Sequence, residues 1–198
     1  MRLVVGITGA TGVVYGIRLL EVLKGVGEVE THLIVSRAAR RLIPGETDYT
    51  VEAVEALARR SYDNRDIGAA LASGAFRTGG MVIAPCGSRT LAALAAGHTG
   101  SLITRAGDVT LKEGRPLVVM PPETPLHLGD LRRMVALAEM GGVILPPMPA
   151  FYPRPRTVDD LVNHTVGRVL DRFGIAHTLV KEWTGRARPR SRERGPAG

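Results

Sequence analysis

Short apolar runs alternate with segments of helical periodicity along most of the chain, and this alternation restricts the fold more than any other feature. The first run, Arg2–Ile7, is rich in β-branched residues and ends in Thr8-Gly9. We predict further strands at 30–35, 81–85, 116–120 and 142–145. Because these runs are mainly apolar rather than alternating, they are typical of parallel strands covered on both faces. The sequence therefore predicts an α/β fold with a doubly wound, mainly parallel sheet, a flavodoxin- or Rossmann-like three-layer sandwich.

Helical spacing fills the segments between these runs. We expect a helix at 12–24, a helix at 36–43 that begins at Ser36 and is ended by Pro44-Gly45, and a polar-faced helix at 51–60. The segment 64–80 has weak periodicity and is predicted to be mostly loop. The remaining helices are predicted at 88–96, 102–112, 127–139 and 158–173.

The net charge of +7 lies mostly at one end of the chain, because +4 of it belongs to the arginine-rich segment 186–198. This segment is too polar and too rich in Pro and Gly to build a core, so we predict one domain at 1–185 and a disordered basic tail. A basic tail can contact nucleic acid, but the aromatic residues that stack on bases are not interleaved with it, and nucleic-acid binding is not expected.

Cysteine and histidine usage narrows the function classes further. A single cysteine excludes an internal disulfide and a multi-cysteine zinc site, and no pair of histidines has metal-ligand spacing. We therefore predict no metal and a reducing compartment. Neither a signal peptide nor a membrane-spanning segment is predicted, so the expected location is the cytoplasm.

Candidate ligand-binding residues follow the predicted strands, since ligands of doubly wound sheets bind beyond the carboxyl ends of the strands. The loop 9–12, Gly-Ala-Thr-Gly, turns into a helix N-terminus that favours phosphate. It lacks the full G-x-G-x-x-G spacing, and Ser36-Arg37 stands where an acidic residue would hold a ribose, so a mononucleotide is favoured over NAD. The loop 86–90, Cys-Gly-Ser-Arg-Thr, offers hydroxyl and guanidinium donors to a second anion or to the edge of a flavin, although a helix start with Ser88 as its N-cap fits the segment equally well.

Two carboxylate and two cationic side chains are further candidate functional residues. Glu46 and Glu123 lie where a carboxyl group would face the crevice and hold a proton near neutral pH, although both positions also suit surface acids. Arg105 and Lys112 are seven residues apart and share one helix face, which suits a phosphate or equally a solvated basic face. We interpret Cys86 as a small buried thiol rather than a nucleophile.

In their joint order and spacing, these loops resemble the UbiX-type flavin prenyltransferases, which belong to the homo-oligomeric flavin-containing cysteine decarboxylases. The resemblance extends over about residues 2–184. The matching segments are 8–16, 35–39, 46–48, 72–74, 84–86, 90–91, 102–109, 111–117, 123–125, 142–146, 150–152, 160–162 and 168.

The resemblance implies that the protein binds reduced FMN and joins to its N5 and C6 atoms the dimethylallyl group of dimethylallyl monophosphate. The product would be prenylated FMN, the cofactor of UbiD-type decarboxylases. It also implies a metal-independent reaction in a homo-oligomer, with sites between subunits of trimers that assemble into dodecamers. The FMN-binding residues would be Gly9, Ala10, Thr11, Ser36, Gly87, Ser88, Arg89, Thr90 and Arg105. Lys112, Glu123, Tyr152 and Arg168 would bind the prenyl phosphate, with Glu46, Glu123 and Lys112 as catalytic residues.

Three positions depart from the family pattern. Thr11 replaces a serine but keeps the hydroxyl group. Pro122 stands where many members have an arginine, which removes one cation from the phosphate clamp, and Arg89 would replace part of that charge. Ile67 stands where some members have tryptophan, so the wall facing the ring would differ.

Two alternatives stay open at the level of sequence. One is an FMN-binding relative of the cysteine decarboxylases, although Arg37-Ala-Ala-Arg40 stands where those enzymes carry a histidine base. The other is a non-catalytic module that binds nucleotides or nucleic acid.

Overall fold

The computed structural model describes residues 1–180, 183 and 185, and its centre is one parallel six-stranded sheet. The strands are β1 (Arg2–Ile7), β2 (Glu30–Val35), β3 (Arg60–Asp63), β4 (Met81–Ile83), β5 (Leu117–Val119) and β6 (Val143–Ile144). The helices are α1 (Val13–Gly25), α2 (Ala39–Glu46), α3 (Val51–Glu55), α4 (Ser88–Ala95), α5 (Leu102–Lys112), α6 (Leu128–Glu139) and α7 (Val158–Asp171), with a short 3-10 turn at Ala70–Ala72.

Both faces of the sheet are buried, which explains why the strands read as continuous apolar runs. Along β1, Leu3, Val5 and Ile7 face a core built with α1, α2 and α7, whereas Val4 faces a second core built with α4, α5 and α6. The three-layer α/β architecture predicted from the sequence is thereby confirmed.

The strand order is β3-β2-β1-β4-β5-β6, which is the Rossmann order among the doubly wound sheets. The chain builds outward from β1 in one direction through β2 and β3, and in the other direction from β4 onward. The connections leave β1 and β4 on opposite sides of the sheet, so a crevice opens between their carboxyl ends. The loops 8–12 and 84–88 border this crevice.

The predicted helix at 51–60 is wrong in its second half. Helix α3 ends at Glu55, and Arg60–Asp63 forms the edge strand β3, which pairs with β2. Tyr62 is its one buried residue, and the Tyr62 hydroxyl lies 2.8 Å from Nδ1 of His32. A strand at the sheet edge that buries a single side chain has no apolar run, so its pattern does not differ from that of a polar helix.

The predicted break at Pro44-Gly45 is also wrong, because α2 continues through Pro44 to Glu46. Ile43 is buried in the core, and its carbonyl accepts hydrogen bonds from both the amide and the hydroxyl of Thr47. This anchor beyond the proline continues the helical turn. The helix begins at Ala39, where Ser36 Oγ accepts from the Ala39 amide at 3.1 Å.

Two further predictions concern a membrane-spanning helix and the basic tail. Within the described residues, no helix is both long enough and apolar enough to cross a membrane. The predicted tail, 186–198, lies outside the described residues.

Candidate functional site

Thr8 joins the two loops that border the crevice. Its side chain is buried, and Oγ1 donates to the Pro85 carbonyl and accepts from the Gly87 amide, both at 2.8 Å. The Thr8 amide also donates to the Pro85 carbonyl at 3.2 Å. The loops after β1 and β4 are therefore fixed relative to each other by one side chain.

Close backbone approach explains the glycines of these loops. A Cβ on Gly9 would lie 2.2 Å from the Cβ of Ala38, and a Cβ on Gly87 would lie 3.3 Å from the Cβ of Ala10. Ser36 enters the same region because its amide donates to the Ile7 carbonyl at 2.9 Å. The structure thus brings together Gly9, Ala10, Ser36 and Gly87, four of the residues that the sequence analysis places around FMN.

The N-terminus of α1 already holds an anionic group. Glu46 Oε2 accepts from the amides of Gly12 at 2.8 Å and Val13 at 3.2 Å, across a sequence separation of more than thirty residues. The loop sequence predicts a phosphate at this position. A phosphate there would have to displace Glu46, so this carboxylate acts in the described structure as the cap of α1.

The N-terminus of α4 differs, since its N-cap residue Gly87 provides no side-chain hydrogen bond. The Ser88 amide has one acceptor at long distance, Glu123 Oε1 at 3.4 Å. Ser88 and Thr90 are half-buried, and Arg89 is exposed and forms no hydrogen bond or ion pair with the described part of the chain. Amide donors, hydroxyl groups and a guanidinium group therefore meet at this helix end, which suits an anion better than the start of α1.

Cys86 lies beneath this helix end. Its side chain is fully buried, and burial raises the pKa of the thiol to about 12. The thiol is therefore protonated at neutral pH and packs as a small apolar group, as the sequence analysis predicted.

Arg105 and Lys112, the two candidate cations of α5, share one carboxylate. Lys112 Nζ lies 2.7 Å from Asp108 Oδ2, and Arg105 NH1 lies 3.7 Å from the same oxygen. Arg105 Nε also donates to the Ala72 carbonyl at 3.3 Å. Lys112 ends the helix about 10 Å beyond Arg105 and five residues before β5 begins at Leu117, so it lies toward the amino ends of the strands, away from the crevice.

Tyr152 and Arg168 line a second region, a cavity of about 410 Å³. The Tyr152 hydroxyl lies 3.0 Å from Nε2 of His164, and burial, followed by the charge of Arg168, lowers the pKa of that histidine. The indole of Trp183 packs edge-on against Tyr152, with ring centroids 5.4 Å apart. The other lining residues are Asp171, Ile175, Ala176, His177 and Val180.

This cavity also lies toward the amino ends of the strands. Arg168 is near the C-terminus of α7, and Phe173 just beyond that helix lies against Gly80, the residue before β4. A single copy of the chain therefore separates Lys112, Tyr152 and Arg168 from Glu123 and the crevice. The described structure does not unite the residues predicted to bind the prenyl phosphate.

Several residues that contact the candidate cations and Tyr152 were not predicted from the sequence. Asp108 and Asp171 pair with candidate cations at helical spacings of three or four residues, and that spacing is a signal readable in sequence. His164 and His177 carry no such signal, because their partners depend on how the chain folds back on itself. No group of three metal-binding side chains occurs among the residues that the structure describes.

Comparison with known proteins gives consistent results over most of the chain. A family model described as Flavoprotein matches residues 1–170. The chain is 53% identical over 186 residues to the flavin prenyltransferase UbiX of Escherichia coli (strain K12), covering 93% of this chain and 98% of that protein.

Two solved structures are similar in both fold and sequence. One is a dodecameric FMN-dependent UbiX-like decarboxylase from Escherichia coli O157:H7, with a TM-score of 0.92 and 49% identity over 93% of this chain and 100% of the other. The second is AnUbiX in complex with FMN and dimethylallyl pyrophosphate, with a TM-score of 0.92 and 43% identity over 94% of this chain and 98% of the other.

Proposed function

The chain belongs to the family of UbiX-type flavin prenyltransferases, and from this membership we propose that it joins a dimethylallyl group to reduced FMN. The observation that carries the proposal is the crevice between β1 and β4, where the residues expected around a flavin meet through the Thr8 hydrogen bonds. The membership favours this function over the cysteine-decarboxylase and non-catalytic alternatives. When bound, reduced FMN supplies the N5 and C6 atoms that receive the prenyl group.

The residues of the crevice fit FMN. Gly9 and Gly87 let the loops after β1, β2 and β4 pack closely at the crevice, and the start of α4 presents to a phosphate amides that no N-cap side chain occupies. We assign FMN binding to Gly9, Ala10, Thr11, Ser36, Gly87, Ser88, Arg89, Thr90 and Arg105. The two fused loops orient the ring system, since Thr8 prevents them from moving apart.

The cations needed by the second substrate would come from a neighbouring copy. Departure of a phosphate from an allylic carbon develops negative charge, which Lys112, Tyr152 and Arg168 are suited to stabilise. In one copy these side chains lie away from the crevice, so we propose that they reach the crevice of an adjacent copy. The exposed apolar face of α6, formed by Leu128 and Val135, is consistent with packing between copies.

Glu123 is the residue that we assign to proton transfer. It lies at the start of α4, where its carboxyl group contacts the Ser88 amide, and it is exposed in the single copy. Burial by a neighbouring copy would let it hold a proton and donate it to the departing phosphate. Pro122 provides no charge beside it, so the clamp depends on the cations of the neighbour and on Arg89.

The test is anaerobic incubation of the protein with reduced FMN and either dimethylallyl monophosphate or the diphosphate, followed by mass spectrometry of the flavin. We expect the flavin mass to increase by one dimethylallyl group with at least one donor. Glu123→Gln should bind FMN normally and lose the transfer. Unchanged flavin with both donors, in protein that demonstrably binds FMN, would contradict the proposal.

Three finer assignments accompany this function. We propose that a UbiD-type decarboxylase receives the product, and that the protein acts in the cytoplasm, where its single cysteine stays reduced. We also propose that residues 186–198 play no part in catalysis. Deleting them should leave prenyl transfer unchanged, whereas a nucleic-acid-binding function would be lost with them.

A further inference from the structure

The cavity beside Arg168 contains a histidine and an aspartate to which the proposed reaction assigns no role. His177 Nε2 lies 3.0 Å from Asp171 Oδ1, and the other carboxylate oxygen, Oδ2, lies 2.9 Å from NH1 of Arg168. The His177 side chain is 8% exposed, whereas those of Asp171 and Arg168 are 41% and 58% exposed. Asp171 therefore links a buried ring to an exposed guanidinium group.

The backbone fixes the tautomer of this histidine. The Leu179 amide donates to Nδ1 of His177 at 3.2 Å. Because Nδ1 accepts a hydrogen bond, the neutral ring carries its proton on Nε2 and donates it to Asp171. Both ring nitrogens thus have a defined partner, and the orientation of the ring follows from these two hydrogen bonds.

Close packing on α7 holds the same ring in place. A Cβ on Gly167 would lie 2.9 Å from Cε1 of His177 and 2.4 Å from Cγ2 of Val180. The segment after α7 therefore folds back onto the helix at a position where the helix has no side chain. His177 is fixed against this glycine and not left free in a loop.

We propose that His177 and Asp171 are positioning residues that hold the Arg168 guanidinium group toward the phosphate of the allylic substrate. An isolated, exposed ion pair at a spacing of three residues orders its partners only weakly. Here, the buried ring restrains Asp171, and Asp171 in turn restrains NH1 of Arg168. The other N–H groups of the guanidinium stay available to an oxyanion.

The proposal rests on the proposed function and predicts a specific kinetic effect. His177→Leu removes the donor to Asp171, so Arg168 samples more orientations and substrate binding weakens. We expect the KM for the allylic phosphate to rise about tenfold, with a smaller change in kcat and an unchanged Kd for FMN. His177→Gln can still donate from its Nε2 to Asp171 and should stay within about threefold of the wild type.

The experiment combines initial rates with calorimetric titration of dimethylallyl monophosphate into FMN-loaded protein. Asp171→Asn is the second variant. Because Asp171 is exposed, this substitution should leave folding intact, and it tests the proposal even if His177→Leu fails to fold. Since the two residues act in series, the double variant should bind no more weakly than the weaker single variant. Additive losses would contradict the proposal, as would a KM for His177→Leu within about twofold of the wild type. A parallel loss of FMN affinity would point to a purely structural role and would also overturn it.

The two measurements separate this inference from the proposed function. If the wild type binds the allylic phosphate without turnover and the variants bind it more weakly, the inference stands and the proposed function fails. If the wild type turns over and the variants match it, only the inference fails. A wild type that neither binds nor turns over overturns both.

Discussion

Replacing Thr8 by valine should loosen the crevice without changing the shape of the buried side chain. Thr8→Val removes two hydrogen bonds of 2.8 Å, but the Pro85 carbonyl keeps the Thr8 amide as a donor at 3.2 Å. The first loss therefore costs about 1 kcal/mol. The Gly87 amide is left half-buried without an acceptor, which costs about 1–2 kcal/mol more, for a total of about 2–3 kcal/mol in the free energy of unfolding.

Thr8→Ser is the matched control, because it keeps both hydrogen bonds and loses one methyl group, worth about 1 kcal/mol. Urea unfolding followed by circular dichroism, at one fixed protomer concentration, compares the two variants. FMN affinity, measured by quenching of flavin fluorescence, should fall about tenfold or more for valine and change little for serine, because the loop 86–90 loses its anchor. Equal stability and equal FMN affinity in the two variants would refute the role assigned to the Thr8 hydroxyl.

For His32, Glu46 and Cys86, the structure predicts the direction of a change in stability or in reactivity. Burial, the largest cause, lowers the pKa of His32 below its usual 6.5, so the folded state favours the neutral ring. The contribution of the neutral His32 ring to the free energy of unfolding is complete above pH 6.5. It declines as the pH falls below that value, by at most about 1.4 kcal/mol per pH unit. His32→Gln should therefore flatten the pH dependence of the stability measured by urea unfolding between about pH 7 and 5. Glu46→Ala should lower the free energy of unfolding by about 1 kcal/mol through loss of the α1 cap, and Glu46→Gln by less. Cys86 should resist iodoacetamide at pH 8 until urea unfolds the protein, since burial holds its pKa at about 12; rapid labelling of the folded protein would contradict this.

The parts of the fold that the sequence predicted are those where one physical cause dominates. Strands buried on both faces, such as β1, are apolar along nearly their whole length, and their runs were readable. Strand β3 was not readable, because Tyr62 alone is buried and the pairing partner lies in a distant segment. Helix α2 crosses Pro44 because tertiary contacts at Ile43 outweigh the local preference to stop.

The candidate site also has parts that the sequence predicts and parts that it does not. The loops after β1 and β4 were predictable from topology, since the carboxyl ends of neighbouring strands must meet. The contact of Glu46 with α1 joins segments more than thirty residues apart, and that of His177 with Asp171 depends on how the chain turns back after α7. No local pattern encodes either contact. The separation of Arg168 from Glu123 is a property of the three-dimensional fold, because the two residues lie on different elements whose relative position the local sequence does not encode.

The measurement that tests the account most directly is complementation between two variants that are each inactive for a different reason. Glu123→Gln removes the proposed proton donor of the crevice, and Arg168→Ala removes a cation that we propose a neighbouring copy provides. Both positions are exposed. When the two are coexpressed with different tags and purified as mixed assemblies, random pairing of copies should restore about a quarter of the wild-type prenyl transfer to FMN. Mixed assemblies as inactive as either variant alone would contradict a flavin site completed by a second copy of the chain.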